Sequence, residues 1–277
     1  MPKNVIISGG TDGMGRATAL ARLARGDQVT VIGSSAAKGR ALLAEADSDR
    51  LRFLRADLSS IAETRRAIAE IAGRHGTVDA LALFANRVNA RRLETADGLE
   101  STFALYYLSR YLLSHGLRPL LDAAPDPVVV NVAGVGVTTG RIFWDDPQLT
   151  RGYGQVRAQL QAGRANDLLG VAFARHAESR ARYVLYHPGF TRSGLDGHPN
   201  PLVRAGLKTL GRLFARPVAD AVAPVVAWID APPPAPLTAV DRGKPVPLSL
   251  RTLDPDDADR LAAYTGDLLK AVAGSPG

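Results

Sequence analysis

The chain has 277 residues, 46% of them hydrophobic and 22% charged, which is long enough to bury a substantial core and too apolar for disorder. It carries 34 Lys and Arg against 27 Asp and Glu, a formal charge of +7, yet no basic run with interleaved aromatics of the kind that tracks a nucleic-acid strand. There are no cysteines, which excludes disulfides, thiolate catalysis and thiolate metal sites.

Much of the positive charge is arginine scattered over predicted helices, such as Arg22, Arg25, Arg65 and Arg66, and reads as a solvated basic surface. No cluster of His, Asp or Glu has ligand spacing, so no metal is expected. The first strand begins within a few residues of Met1 and no apolar run approaches a membrane span. A soluble, cytoplasmic protein that contacts neither membrane nor nucleic acid is the expectation.

Val5-Ile6-Ile7 is a buried strand that runs into Ser8-Gly9-Gly10-Thr11-Asp12-Gly13-Met14-Gly15, after which Arg16 to Ala21 continue as a helix. A strand, a glycine loop and a helix start gather free backbone N–H groups and the positive helix end around one point, where an anion can sit. Gly9 allows the tight turn, Gly13 lets the backbone approach phosphates, and Gly15 lets the helix pack closely. With Thr11 and Met14 these residues form a candidate pyrophosphate cradle.

Gly26-Asp27 ends the first helix, and Gln28 to Ile32 is a second strand. The alternation continues with a helix over Ala36 to Ala46, a strand over Leu51 to Ala56, a helix over Ile61 to Gly73 with Ile61, Ile68 and Ile71 inward, and a strand over Ala80 to Ala85. A long helix is predicted from about Asp97 to Leu121, then a strand ending at Val132 and an irregular loop from Gly134 to Tyr153. A helix over Arg157 to Ala177, a strand over Arg182 to Tyr186, helices near Leu202 to Leu213 and Pro217 to Ile229, a proline-rich turn at Ala231 to Pro236 and a terminal helix over Asp256 to Val272 complete the chain. Short apolar strands alternating with helices predict an α/β fold. It is a Rossmann-like, doubly wound parallel sheet flanked by helices, with residues 1–277 as one domain. Ligands in such sheets bind beyond the carboxyl ends of the strands.

The motif set resembles the short-chain dehydrogenase/reductase family, particularly its retinol-dehydrogenase-like branch. The resemblance rests on Gly9, Gly13 and Gly15, on Asp57-Leu58, on Thr95 to Glu100, on Tyr107 to Leu113, on Val129 to Val132, and on His187-Pro188-Gly189-Phe190 with Ser193 following. It implies that Asp57 and Leu58 lie at the adenine, that Pro188 and Gly189 line a nicotinamide, and that Ser193 holds its carboxamide. It also implies a small-molecule substrate, and leaves a homodimer or homotetramer open. At the end of the second strand no acidic residue awaits a ribose 2′-hydroxyl, whereas Ser34, Ser35 and Lys38 could accept a 2′-phosphate, so NADP(H) is expected over NAD(H).

The family's chemistry uses a serine, a tyrosine, a lysine one helical turn on, and an asparagine. The resemblance puts Gly134, Gln159, Gly163 and Tyr106 at those positions, so the usual acid is missing and an atypical oxidoreductase acting on an activated electrophile is expected. A non-redox enzyme on the same fold, or a non-catalytic cofactor-binding protein, are the alternatives. Tyr106 and Gln159 would orient the substrate, and Tyr153, with Arg157 four residues on, is an alternative acid. Segments of about 134–156 and 190–214 would shape a partly apolar substrate pocket.

Overall fold

In β1 (Asn4–Ser8), Val5 and Ile7 belong to one apolar core and Ile6 to another, and all three are fully buried. Side chains alternate across a strand, so a run that is apolar at every position has helices on both faces. The computed structural model describes residues 1–175, 179–189 and 217–274. The helix predicted near 202–213, the pocket segment 190–214 and Ser193 lie outside those residues.

After β1 come α1 (Gly13–Leu23), β2 (Gln28–Gly33), α2 (Ala36–Ala46), β3 (Leu51–Arg55), α3 (Ile61–Ala72) and β4 (Ala80–Leu83). A π-helical segment (Phe103–Leu108) leads into α4 (Ser109–Gly116) and α5 (Arg118–Asp122), followed by β5 (Val128–Val132), α6 (Gln155–Ala174) and β6 (Arg182–His187). Then follow α7 (Val218–Asp230), β7 (Leu237–Asp241), β8 (Lys244–Pro245), a 3-10 turn (Arg251–Leu253) and α8 (Pro255–Gly274). Among the described residues one sheet has the order β3-β2-β1-β4-β5-β6-β7-β8, parallel throughout except for β7 against β8. The order reverses between β1 and β4, and a crevice therefore opens beyond their carboxyl ends. Leu23, Leu42, Val225 and Ile229 build the core on one face, and Ile61, Ile71, Phe103, Leu168 and Leu261 build the core on the other.

Three expectations are corrected. The long helix does not begin at Asp97: Gly98 has φ +74°, and Glu94 bridges Glu100 as antiparallel strand. The buried Glu100 carboxylate then accepts from the backbone N–H groups of Thr102 and Phe103, both at 2.7 Å, and so caps a helix starting one residue after it. Strand β7 was not expected, because Leu237-Thr238-Ala239-Val240-Asp241 lacks the continuous apolar run of the central strands and is half-buried beside the two-residue β8. Arg22 is not on a solvated surface. It is 1% exposed and its Nε donates to Asp27 Oδ2 at 2.6 Å, while its Nη1 donates to the Val226 carbonyl at 3.2 Å and pairs with Asp230. Arg22 thereby joins α1 to α7.

Among the described residues, no helix is long and apolar enough to cross a membrane.

Candidate active site

At the carboxyl end of β1 the chain turns through Gly9, whose φ of +69° is a left-handed conformation that a side chain opposes. A Cβ on Gly9 would lie 2.7 Å from the Ala85 nitrogen, and one on Gly15 would lie 2.4 Å from the Gly9 carbonyl oxygen. Both glycines are required by close backbone approach. Asp12 caps α1, its Oδ1 accepting from the Gly13 N–H at 2.7 Å, while the next two helix N–H groups, of Met14 and Gly15, have no acceptor among the described residues. Orphan N–H groups at a helix start are the physical form of an anion cradle. Thr11 packs against Gly33, at the end of β2.

Beside the cradle, Lys38 pairs with Asp12, and that ion pair holds the Asp12 carboxyl below its usual range. Ser34 is exposed at the same strand end, and Ser35 caps α2 through the Lys38 N–H. Asp57 lies beyond β3, where its carboxylate accepts from the Ser59 backbone N–H at 3.0 Å and the Ser59 hydroxyl at 2.7 Å. Leu58 is buried in the core next to it. Phe84, just after β4, packs into the core on the α1 face of the sheet, and the Phe84–Ala85 backbone closes on Gly9.

Further along the crevice, Gln159 on α6 exchanges side-chain hydrogen bonds with Asn86, donating also to the Arg87 carbonyl at 3.0 Å. This amide pair ties the middle of the crevice to the loop after β4. Two positions around it are open. A Cβ built on Gly163, one turn beyond Gln159, meets nothing within 4 Å although the residue is buried, and one on Gly134 meets only Val137 Cγ2 at 3.9 Å. The Tyr106 ring fits between the residues that precede them, packed against Ala133 and Ala162. Of the adjacent pair, Tyr107 points into the core and bonds Thr265 at 2.6 Å, whereas Tyr106 faces this gap. Tyr153 precedes α6, in a loop as expected. Its hydroxyl donates to the Asn89 carbonyl at 2.9 Å, and burial raises its pKa. At the end of β6, Gly189 has φ +85° and backs onto Arg242, with Pro188 buried before it.

The model of the short-chain dehydrogenase family matches residues 3–144, about half of the chain, and this span contains the cradle, the first five strands and Tyr106. The chain belongs to the short-chain dehydrogenase family. Among curated family relatives, the oxidoreductase calI of Penicillium decumbens is 29% identical over 199 residues, covering 68% of this chain and 58% of the relative. Human retinol dehydrogenase 13 is 27% identical over 202 residues, covering 71% of this chain and 61% of the relative. The chain thus matches about three fifths of the length of these relatives. Among solved structures, the Pseudomonas aeruginosa RhlG/NADP active-site complex superposes with a TM-score of 0.67 at 20% identity, covering 87% of this chain and 95% of that one.

Two polar groups in this short-chain dehydrogenase were not anticipated as parts of the site. Asp241, at the end of β7, accepts from Arg242 Nη2 at 2.9 Å and pairs with His187 Nδ1 at 2.8 Å. Burial raises its pKa and the bonds from Arg242 and His187 outweigh that, so its carboxyl sits below the usual value. The second group is Arg110. It is fully buried and donates to the Val132 carbonyl at 2.8 Å, the Ala85 carbonyl at 2.9 Å and Asn131 Oδ1, with its guanidinium 4.6 Å from the Tyr106 ring centroid. Asn131 passes the network to Asn166 at 3.0 Å, and Asn166 donates to the Tyr106 carbonyl at 2.8 Å. Arg110 was visible only as one residue of a family-like helix motif; its burial depends on strand ends distant in sequence.

Proposed function

We propose that this protein is an NADP(H)-dependent oxidoreductase that reduces an activated electrophile, such as a quinone, an iminium ion or a conjugated carbonyl compound, in the crevice between the β4 and β6 ends. The observation that carries this reading is the cradle: the orphan N–H groups of Met14 and Gly15 stand behind a turn that only glycine permits at positions 9 and 15. A dinucleotide pyrophosphate fits that donor set. Gly9, Thr11, Gly13, Met14 and Gly15 would hold the pyrophosphate, Asp57 and Leu58 the adenine, and Pro188 and Gly189 the nicotinamide. Ser193, outside the described residues, would hold the carboxamide. Ser34 and Lys38 would take a 2′-phosphate, with Lys38 leaving Asp12 to do so. When bound, the reduced nicotinamide supplies a hydride.

The protein's own share is binding and orientation. Gln159, fixed by Asn86 and Arg87, presents an amide that does not ionise, and Gly134 and Gly163 present none of the polar side chains that the family uses for proton transfer. An electrophile that accepts a hydride without strong acid catalysis suits such a crevice. The names of calI and retinol dehydrogenase 13 agree with redox chemistry.

Calorimetric titration with NADPH, NADP⁺, NADH and NAD⁺ tests the reading. Micromolar binding of NADPH, weakened roughly tenfold by Lys38→Ala with NADH binding unchanged, is the expected result. NADPH oxidation should then follow on adding quinones or iminium ions. Absence of binding by all four dinucleotides would overturn it.

A further inference from the structure

We infer that Tyr106 is the proton donor of this site and that Arg110 is its positioning cation, an acid pair carried on the π-helical segment and α4 instead of on α6. The inference rests on the redox reading above and assigns Tyr106 its role with quinones and conjugated carbonyl compounds, whose reduction leaves an oxyanion.

The two residues are four apart, the spacing at which helical side chains meet, and the guanidinium lies 4.6 Å from the ring centroid. Tyr106 packs against Ala133 and Ala162, the residues before Gly134 and Gly163, and a Cβ at either glycine would find open space. Arg110 cannot swing away, since its bonds to Ala85, Val132 and Asn131 tie it to the ends of β4 and β5. Burial lowers its pKa to about 10, which leaves it a cation at neutral pH. No carboxylate is among its bonding partners, so its charge is available to a neighbouring anion.

The step balances as follows. A bound reduced nicotinamide would supply a hydride, and the reduced quinone or conjugated carbonyl compound would be left as a hydroquinone monoanion or an enolate. The proton of the Tyr106 hydroxyl moves to that anion, the O–H bond breaks, and the tyrosinate left behind is held by Arg110 until water reprotonates it. A hydroquinone oxygen is itself phenolic, and Arg110 offsets part of the rise that burial gives the Tyr106 pKa. An iminium ion needs no proton when it accepts a hydride.

That difference supplies the test. Tyr106→Phe removes one oxygen and keeps the ring. It should bind NADPH as the parent does, reduce a quinone or an enone about a hundredfold more slowly, and reduce an iminium ion at the parent rate. Equal losses on both substrate types, or no loss on either, would overturn the inference. Loss of NADPH binding by the parent would instead strike the redox reading.

Arg110 is read independently of turnover, by fluorine NMR of protein labelled with 3-fluorotyrosine and assigned through Tyr106→Phe. The groups facing Tyr106 are Arg110 on its own helix, which lowers its pKa, and Asp167 on α6, which raises it, with burial the largest influence and upward. Arg110→Gln should move the Tyr106 titration at least one unit higher, and Arg110→Lys should restore most of that shift. An unmoved titration in folded Arg110→Gln would remove Arg110 from the pair. Should that variant not fold, the substrate split in Tyr106→Phe still decides whether Tyr106 donates the proton.

Discussion

Asp167 carries a buried electrostatic cost that a single substitution can expose. It is 1% exposed on α6, its Oδ1 has no hydrogen-bond partner among the described residues, and the nearest cation, Arg164, stands 3.8 Å away without a hydrogen bond to it. Burial pushes its pKa up from 3.8 to about 8, with Arg164 opposing. Between those values the folded chain holds a proton that the unfolded chain releases. Stability is therefore full below the ordinary carboxylate value and falls as pH rises toward 8, by up to about 1.4 kcal/mol per pH unit. Urea unfolding from pH 5 to pH 8 should show this decline in the parent and little of it in Asp167→Asn, which should also be the more stable of the two at pH 8. A decline of equal slope in both would show that another group is responsible. Nothing in the sequence around Asp167 signals this burial, because Arg164 at i−3 makes the pair look like an ordinary surface ion pair.

Between elements, the clamp of Arg22 on Asp27 and α7 sets how firmly the cradle helix is held. Asp27 is 2% exposed and also accepts from the Lys3 backbone N–H at 2.9 Å, so removing the guanidinium leaves a buried carboxylate short of its cation. Arg22→Met should cost about 3–5 kcal/mol in urea unfolding, and adding Asp27→Asn should recover part of it, because the penalty lies mostly in the charge left behind. An effect below 1 kcal/mol would mean that water reaches the site. The helix of Arg22 was legible in the sequence, but its environment was not. Hydrophobic periodicity reports which face of α1 is apolar, while the partners Val226 and Asp230 lie more than 200 positions away. The same limit applies to Arg110, whose acceptors sit on two strand ends, and to β7, whose mixed residues are ordered by pairing with β6 rather than by their own pattern. Helix geometry says only that Tyr106 and Tyr107, as neighbours, point about 100° apart; the choice of Tyr106 for the crevice came from the family resemblance.

At the scale of the molecule, the parallel sheet was legible because the central strands are apolar on both faces and the helices after β1, β2 and β3 are capped by Asp12, Ser35 and Ser60, so local pattern and global fold agree. The crevice was legible only as the place where the glycine turn must lie. This arrangement links cofactor binding to global stability. A dinucleotide that binds the cradle would bind only the folded chain, since on the proposed reading its contacts would come from the β1 end, the α1 start and the ends of β3 and β6. At a hundred times its dissociation constant, such a ligand adds about 2.7 kcal/mol, which for a chain of this size is roughly 5–10 °C in Tm. Saturating NADPH should therefore raise the Tm of the parent by about that amount. Gly13→Asp should abolish the shift. It puts a side chain where φ is +52° and a second carboxylate beside Asp12 at the start of α1, where the pyrophosphate would lie. A shift of equal size in Gly13→Asp would mean that the dinucleotide binds elsewhere, and the functional reading would then have to move away from the cradle.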